Sequence, residues 1–300
     1  MLWVPITLAA AALQTARNAF QRGLTGALSP LGATYTRFAF GFPFAALYAA
    51  CVFARAGVPT PGIPFFAWVT LGGVAQIFGT AALMQLFRLR SFSTGIAFSK
   101  SEILQVALVG IVVLGDAVSA LAALAIGVAT SGLVLLSREP GAAGWRDVAA
   151  GLSGPAALLG LATGAGFAVA AVAFRAASLS LGDPSFLASA AATLAAATLI
   201  QSVLMTGYLR WREPGQIGVV LRLWRRSLLP GLSGAAASAC WFTAMTIEIA
   251  AYVRMLGLVE VLFGYGVSIF ALRERPSARE VWGTALLVVA IAVLLWDRAV

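Results

Sequence analysis

The sequence predicts an all-α membrane protein with ten transmembrane helices, arranged as two inverted five-helix repeats. Of its 300 residues, 61% are hydrophobic and only 10% are charged, whereas a soluble domain carries about 25% charged residues. Apolar runs long enough to cross a bilayer, roughly 20 residues each, recur along the whole chain. Period-two alternation is absent, which argues against a membrane barrel.

Ten apolar runs mark the predicted spans. The first is read as an uncleaved helix, because the chain starts without the basic segment of a signal peptide. Short loops are expected between the runs, and the longest of them, Trp211 to Ser227, has an amphipathic pattern suited to the headgroup level. The runs are 2–22, 31–54, 63–87, 92–114, 117–137, 153–179, 185–209, 228–249, 252–272 and 278–296.

An internal repeat relates the two halves of the chain. A shift of 158 positions overlays Glu102–Ser119 on Glu260–Ser277 without a gap, so that Glu102 meets Glu260 and Asp116 meets Glu274. Five spans per half is an odd number, so the halves must have opposite orientations, as in alternating-access transporters. The predicted domains are 1–137 and 153–300, joined by a linker at 138–152.

The composition excludes several classes of site. The chain has no His and two Cys, which removes His-ligated metals, His bases and a disulfide framework. We therefore expect no metal and no cofactor, and we expect Cys51 and Cys240 to be inert buried thiols. The net charge of +9 comes largely from loops, which favours orientation by positive charge over nucleic-acid binding.

Alternate loops differ in their basic residues. One set includes Arg22, Arg88, Arg138, Arg210 and Arg222, whereas the other set holds few basic residues. Basic loops stay cytoplasmic, so this count predicts that both termini lie outside. The basic residues of the poorer set are Arg55, Arg175, Arg254 and Arg298.

Ionisable residues inside the spans are the main candidates for a functional site, because a charge at the bilayer centre costs about 3 kcal/mol. Glu248 and Arg254 are instead placed at helix ends and are expected to be interfacial. The charges well inside predicted spans are Arg17, Arg37, Lys100, Glu102 and Glu260.

Polar residues at helical spacing accompany these charges and should face the bundle interior. Trp241, Phe167, Phe242 and Tyr265 could shape a cavity for an apolar group, although packing or lipid contact is the more common role of such aromatic residues. Gly160 and Gly164 form a pair that permits close helix approach. The polar stripes are Gln14, Arg17, Asn18 and Gln21; Gln76, Gly79 and Thr80; Ser99, Glu102 and Gln105; and Glu260, Gly264 and Ser268.

Two interpretations of the charges remain open. In the functional one, Glu102 or Glu260 binds a substrate amine or a proton, and Arg17, Arg37 or Lys100 meets a carboxylate or phosphate. In the structural one, a buried ion pair such as Arg37 with Glu102 locks helices together. Lys100 lies two positions from Glu102, so in a regular helix the two would point to different sides, and Lys100 could snorkel. The functional interpretation requires a wet central passage.

The chain resembles the drug/metabolite transporter superfamily, specifically the ten-helix EamA type. The resemblance covers nearly the whole chain and rests on the two-half length and on Leu114-Gly115-Asp116 with its echo Leu272-Arg273-Glu274. It also rests on Gly127 and Gly283 early in the following helices, and on Pro30 followed by Arg37. It implies ATP-independent export or exchange of small metabolites such as amino acids, and it implies cytoplasmic termini, opposite to the charge count.

The expected function is therefore secondary transport of small metabolites by alternating access, without enzymatic activity. Coupling of this transport to protons is a further hypothesis. The alternatives are a channel, or a membrane-embedded lipid-modifying enzyme, which the lack of His and of an acidic metal cluster disfavours. We expect a multi-pass monomer or homodimer of the bacterial cytoplasmic membrane, with the lipid bilayer and a small-molecule substrate as partners. The candidate substrate-binding residues are Glu102, Glu260, Arg17, Asn18, Arg37, Lys100, Gln76 and Trp241, with Glu102 and Glu260 as proton carriers.

Overall fold

A computed structural model describes residues 1–89, 99–136, 155–182, 185–263 and 278–298. Within these ranges the chain forms helices joined by short connections, and it contains no strand. The helices are α1 (Trp3–Leu24), α2 (Pro30–Ala39), α3 (Phe42–Ala56), α4 (Ile63–Leu89), α5 (Glu102–Leu114), α6 (Ala120–Leu136), α7 (Pro155–Ser180), α8 (Phe186–Arg212), α9 (Pro214–Arg222), α10 (Trp224–Ile247), α11 (Ala250–Leu256) and α12 (Ala278–Asp297).

Five segments of the described chain are long and apolar enough to cross a membrane: Pro30–Ala56, Ile63–Leu89, Pro155–Ser180, Phe186–Arg212 and Trp224–Ile247. The protein is thus a helical membrane protein, as predicted. Ten spans are not confirmed. Residues 102–114, 120–135 and 281–297 are shorter apolar helices, and parts of the predicted spans 92–114 and 252–272, like the predicted linker, lie outside the described residues.

The second predicted span is broken near its middle. Ser29 accepts a hydrogen bond from the Gly32 amide and caps α2, which ends at Ala39, and α3 begins at Phe42. Pro43 lies in the first turn of α3, where its missing N–H leaves no bond unmade. Apolar composition predicted the span but not the break.

The predicted amphipathic loop between the seventh and eighth spans is largely helical. It forms α9 and the first turn of α10, and Val220 is the residue of α9 that is buried, while Leu221 is exposed. The helical spacing of its apolar residues therefore indicated a real helix.

The helices pack in pairs taken from opposite halves of the chain. The most extensive contacts are between α4 and α7, α1 and α10, and α6 and α12, followed by α5 with α7 and α3 with α8. Close backbone approach supports this packing: a Cβ on Gly166 of α7 would lie 2.8 Å from the Cα of Gly79 on α4, and one on Gly132 would lie 2.9 Å from the Gly283 carbonyl oxygen.

The expectation that both cysteines are buried is wrong for Cys51. Cys51 is exposed on α3, and Cys240 is half-buried on α10. An apolar run predicts a membrane helix but not which of its faces points outward, because a membrane helix is apolar on its lipid face as well.

Candidate functional site

The polar stripe of α1 faces the interior of the bundle, as its spacing predicts. Gln14, Arg17, Asn18 and Gln21 are all buried, with between 0% and 8% of their surface exposed. Arg17 donates through Nε and Nη2 to the side-chain oxygen of Asn18, at 3.2 and 2.6 Å. Gln21 donates to the Ala33 carbonyl at the start of α2. The stripe thus links α1 to its neighbours through polar contacts.

Glu260 is the acceptor on which three donors from the first half of the chain converge. It lies in the short helical stretch 259–263. Its Oε1 accepts from Asn18 Nδ2 at 2.8 Å, and its Oε2 accepts from Gln14 Nε2 at 2.8 Å and from Lys100 Nζ at 2.6 Å. Glu260 is 1% exposed, so its charge is compensated almost entirely within the protein.

Lys100 contacts both candidate carboxylates, which corrects the expectation that it points away from Glu102. It lies in the turn just before α5, where regular helical geometry does not apply, and its Nζ is 3.7 Å from Glu102 Oε1. Lys100 is 3% exposed and so does not snorkel. Gly164 of α7 packs closely against this turn, since a Cβ there would lie 2.8 Å from the Glu102 amide nitrogen.

The polar stripe predicted along the fourth span is confirmed in part. Ser99 and Glu102 are buried. Gln105 is half-buried and faces α7, where its Nε2 lies 3.5 Å from the Leu161 carbonyl oxygen. In the predicted stripe of the ninth span, Gly264 and Ser268 lie outside the described residues, as does Tyr265.

The prediction that Arg254 is interfacial is wrong. Arg254 belongs to the buried cluster. The short helix α11 carries it into the bundle, where it is 6% exposed. Its Nη1 lies 3.7 Å from Glu102 Oε1, and its guanidinium carbon lies 4.6 Å from the centre of the Trp241 ring. The hydropathy pattern places Arg254 near a helix end, but that end lies in the protein interior.

Arg37 has no contact with Glu102, so the predicted Arg37–Glu102 pair is wrong. Its two terminal nitrogens donate to hydroxyl oxygens, Thr80 Oγ1 at 3.0 Å and Ser238 Oγ at 3.4 Å. Arg37 is 4% exposed. Gly234 of α10 makes room for it, since a Cβ there would lie 3.1 Å from Arg37 Cγ and 3.3 Å from Arg17 Cδ.

Amide side chains complete the cluster. Gln14 Oε1 accepts from the indole N–H of Trp241 at 2.9 Å. Gln76 Oε1 accepts from Gln201 Nε2 at 2.9 Å, and Gln201 also donates to the Gly73 carbonyl. Gln201 is a member that sequence reasoning missed; the available signal was a glutamine within the predicted span 185–209.

A small central cavity adjoins these side chains. Its volume is about 10 Å³, enough for about one water molecule and far below the 300–1,000 Å³ of a typical ligand pocket. Three guanidinium groups and no carboxylate are among the described residues that line it. They are Gln14, Arg17, Arg37, Gln76, Phe167, Ser238, Trp241, Phe242 and Arg254.

The wet central passage that the functional interpretation requires is therefore not seen among the described residues, whose central cavities are water-sized. A second cavity of about 10 Å³ shares Arg37, Gln76, Ser238 and Phe242 with the first. A larger cavity of about 270 Å³ lies between α3, α8 and α10, and its described lining contains no charged side chain. Leu47, which lines this larger cavity, is 65% exposed, so the cavity lies at the periphery of the bundle.

A second group of ion pairs and hydrogen bonds joins helices at one end of the bundle. Asp116 follows α5 and lies 3.8 Å from Arg175 of α7, and Arg175 also donates to the Met245 and Glu248 carbonyl oxygens. Glu248 in turn pairs with Arg298 after α12. Burial raises the pKa of the Asp116 carboxyl, which Arg175 only partly offsets.

The Leu114-Gly115-Asp116 motif has a local structural role here. Gly115 ends α5 with a φ of 67°, in the left-handed region that favours glycine, and its amide donates to the last turn of the helix. This turn directs Asp116 toward α7. The described residues include no group of three or more His, Cys, Asp or Glu that could hold a metal ion.

Comparison with known proteins supports the fold. No family model matches the chain, and no curated protein matches it. Twenty-seven chains of solved structures match it. One of them, described only as the crystal structure of a protein, is 19% identical, covers 98% of this chain and 97% of its own, and has a TM-score of 0.65. At that identity the similarity shows the fold alone.

Proposed function

We propose that the protein is a secondary transporter of small metabolites that works by alternating access in the bacterial cytoplasmic membrane. The proposed substrates are amino acids or similar amphipathic solutes, as the resemblance to EamA-type transporters implies. The observation that carries the proposal is the buried cluster of Arg17, Arg37, Lys100, Glu102 and Glu260, of which Arg17 and Arg37 line a small central cavity. Intramembrane ionisable groups of this kind mark substrate and proton pathways.

The order of helix pairing supports an inverted repeat. Under the 158-residue shift, α1 corresponds to α7 and α4 corresponds to α10. When the two halves are exchanged, the extensive α4–α7 pair becomes the α10–α1 pair. The α6–α12 pair and the α3–α8 pair each map onto themselves. A pseudo-two-fold axis in the membrane plane would produce this pattern.

The two repeat-related carboxylates meet near such an axis. Glu102 and Glu260 occupy equivalent positions and share Lys100 as a partner, at 3.7 and 2.6 Å from its Nζ. Substrate and ion sites of transporters lie where two repeats meet near the bilayer midplane. The cluster thus lies between the halves, where a transport site would be expected.

The small cavity fits a closed step of the transport cycle. A space for about one water molecule cannot hold a metabolite, so the halves would have to move apart to admit one. The Asp116–Arg175 and Glu248–Arg298 pairs join four helices at one end, and opening at that end would have to separate them.

Glu102 is the better of the two proton-carrier candidates. Glu260 accepts three hydrogen bonds, whereas Glu102 Oε2 is buried without a hydrogen-bond partner in the described chain and its ion pairs are 3.7 Å long. A proton on Glu102 Oε2 would therefore break no hydrogen bond of the described chain. We expect Glu102→Gln to abolish pH-driven flux while leaving exchange at equal pH in place.

Flux into proteoliposomes tests the function. Purified protein should catalyse saturable counterflow of one or more solutes from a panel of amino acids and related metabolites, without ATP. Large single-channel currents would instead indicate a channel, and metal-dependent turnover of a lipid would indicate an enzyme. Absence of counterflow for every solute, in protein that binds ligand, would contradict the proposal.

A further inference from the structure

The central cavity is lined by positively charged side chains, one of which, Arg254, is paired with Glu102 at 3.7 Å. Its described lining contains the guanidinium groups of Arg17, Arg37 and Arg254 and neither Glu102 nor Glu260. The two carboxylates lie behind this wall, where their partners are Lys100, Arg254 and the amides of α1. A ligand in the cavity would therefore meet cations first.

Two of these guanidinium groups donate to neutral acceptors among the described residues. Arg17 is 1% exposed, donates to the Asn18 side-chain oxygen, and has a buried Nη1 without a partner in the described part of the chain. Arg37 donates to the hydroxyls of Thr80 and Ser238. Arg17 and Arg37 both line the cavity and both lie against Gly234, so their like charges repel each other.

The buried cluster as a whole carries excess positive charge. Four basic side chains, Arg17, Arg37, Lys100 and Arg254, face the two carboxylates Glu102 and Glu260, and all six are at most 6% exposed. A buried charge without a partner is costly in protein and in the membrane. An anion placed between Arg17 and Arg37 would remove this cost, and paired N–H groups of arginine suit a carboxylate or phosphate.

The cavity offers little to a substrate ammonium group. Its amide oxygens are already engaged, since Gln14 Oε1 accepts from Trp241 and Gln76 Oε1 accepts from Gln201. The remaining wall is aromatic, with Phe167, Trp241 and Phe242. An ammonium group there would face three guanidinium groups, whereas an apolar body could pack on the rings.

We propose that the substrate is a small organic anion with an apolar body, bound through a carboxylate or equivalent oxyanion by Arg17 and Arg37. This inference rests on the proposed transport function and narrows its substrate class from zwitterions to net anions. The aromatic wall of Phe167, Trp241 and Phe242 would hold the apolar body once the halves have moved apart, and Glu260 holds Lys100 in place.

A charge-matched ligand series tests the proposal on the wild-type protein. Thermal unfolding of the full chain in detergent is followed with 3-phenylpropionate, phenylalanine, 2-phenylethylamine and 2-phenylethylphosphonate, which share an apolar body and differ in charge. We expect stabilisation by the anions at concentrations about tenfold or more below those needed for phenylalanine, and none by the amine. The two anions separate a carboxylate site from a phosphonate site.

Variants then assign the binding residues. Arg37→Gln should weaken anion binding about tenfold or more, Arg37→Lys should retain part of it, and Arg55→Gln, at an exposed helix end, should bind as wild type does. Equal stabilisation by phenylalanine, stabilisation by the amine, or no effect of either anion would overturn the inference. Anion binding without counterflow would refute the transport function alone.

Discussion

At the scale of single residues, Glu260 holds the most contacts in the buried cluster. It accepts from Gln14, Asn18 and Lys100, which come from two segments of the first half. Removal of one member of a buried ion pair leaves the other charge uncompensated, and this usually costs about 3–5 kcal/mol. Glu260 is therefore expected to be the most sensitive acidic position of the described chain.

We expect Glu260→Gln to destabilise the protein by about 3–5 kcal/mol, measured by unfolding in mixed detergent micelles. The reason is that the Lys100 ammonium loses its 2.6 Å partner and keeps the longer contact of 3.7 Å with Glu102. Glu102→Gln should cost less, because its ion pairs are longer, at 3.7 Å.

The double variant Lys100→Met with Glu260→Gln provides the control. Replacement of both charges by groups of similar volume is often neutral, so the double variant should recover much of the lost stability. If it is no more stable than Glu260→Gln alone, the Lys100–Glu260 contact is not the cause of the loss.

The sequence predicts which residues are buried better than it predicts their partners. The i, i+3, i+4 spacing of Gln14, Arg17, Asn18 and Gln21 correctly places the stripe of α1 inside, because periodicity reports a face. Partners depend on the path of the chain between helices. The burial of Arg254 was not predicted for this reason. After α10 ends, the chain turns, and α11 lies inside the bundle with all of its residues buried.

At the scale of helices, the α4–α7 contact depends on glycine. The two backbones approach at Gly79 and Gly166, and a Cβ on Gly166 would meet Gly79 Cα and N at 2.8 Å and the Ala75 carbonyl oxygen at 2.9 Å. These are backbone atoms, which cannot rotate away as a side chain can. Small residues at helix contacts in membranes allow this kind of packing.

Gly166→Ala should therefore destabilise the protein by about 1–3 kcal/mol, the usual cost of overpacking. Gly207→Ala is the matched control, because Gly207 also lies within a long helix and a Cβ there meets nothing within 4 Å. That substitution should be neutral or slightly stabilising, since alanine favours helix. Equal effects of the two substitutions in an unfolding experiment would contradict this account.

The connection between α5 and α6 should give the protein a distinct pH response. Burial raises the pKa of Asp116 above its ordinary value of 3.8 despite Arg175, so the fold favours the protonated carboxyl. The stabilising contribution is then fully present below pH 3.8 and is lost as pH rises through the raised pKa. Asp116→Asn removes this dependence.

The difference in melting temperature between wild type and Asp116→Asn measures the effect directly. It should shift in favour of wild type as the pH falls from neutral toward 4. A shift in the opposite direction would mean that attraction to Arg175 outweighs burial at this site.

Element boundaries were predictable where composition alone decides them. The described parts of the predicted runs 63–87, 153–179 and 185–209 correspond to α4, α7 and α8. A long apolar segment in a bilayer forms a helix because a helix satisfies all of its backbone hydrogen bonds internally. The break between α2 and α3 was not predicted. There a Cβ on Gly41 would clash with the Arg37 carbonyl oxygen of α2 and would lie 3.2 Å from the Gly231 carbonyl oxygen of α10, and the second of these contacts joins residues far apart in sequence.

At the scale of the whole molecule, the two ends of the bundle differ in charge. At one end Arg88 donates to the Thr25 and Leu28 carbonyl oxygens, beside the basic segment that contains Arg222. At the other end Arg175 and Arg298 are paired with acidic residues. Because Arg254 lies inside the bundle, this second end has even fewer basic residues than the loop count implied.

The charge asymmetry predicts that the first end is cytoplasmic and that the chain end near Arg298 lies outside. A reporter fused after Val300 should be active if it requires the extracytoplasmic space and inactive if it requires the cytoplasm. The same reporters fused within the segment 214–222 should give the reverse result. Cytoplasmic activity after Val300 would refute this orientation.

The contact between Lys100 and Glu260 spans 160 positions of the chain, and this separation has a consequence for biosynthesis. Ribosomes add about 5–20 residues per second, so Lys100 leaves the ribosome roughly 8–32 s before its main partner does. During this interval the first half holds Arg17, Arg37 and Lys100 with Glu102 as the acid of the cluster. The nascent first half must therefore wait beside the insertion machinery, or near water, until the last acidic residue of the cluster arrives.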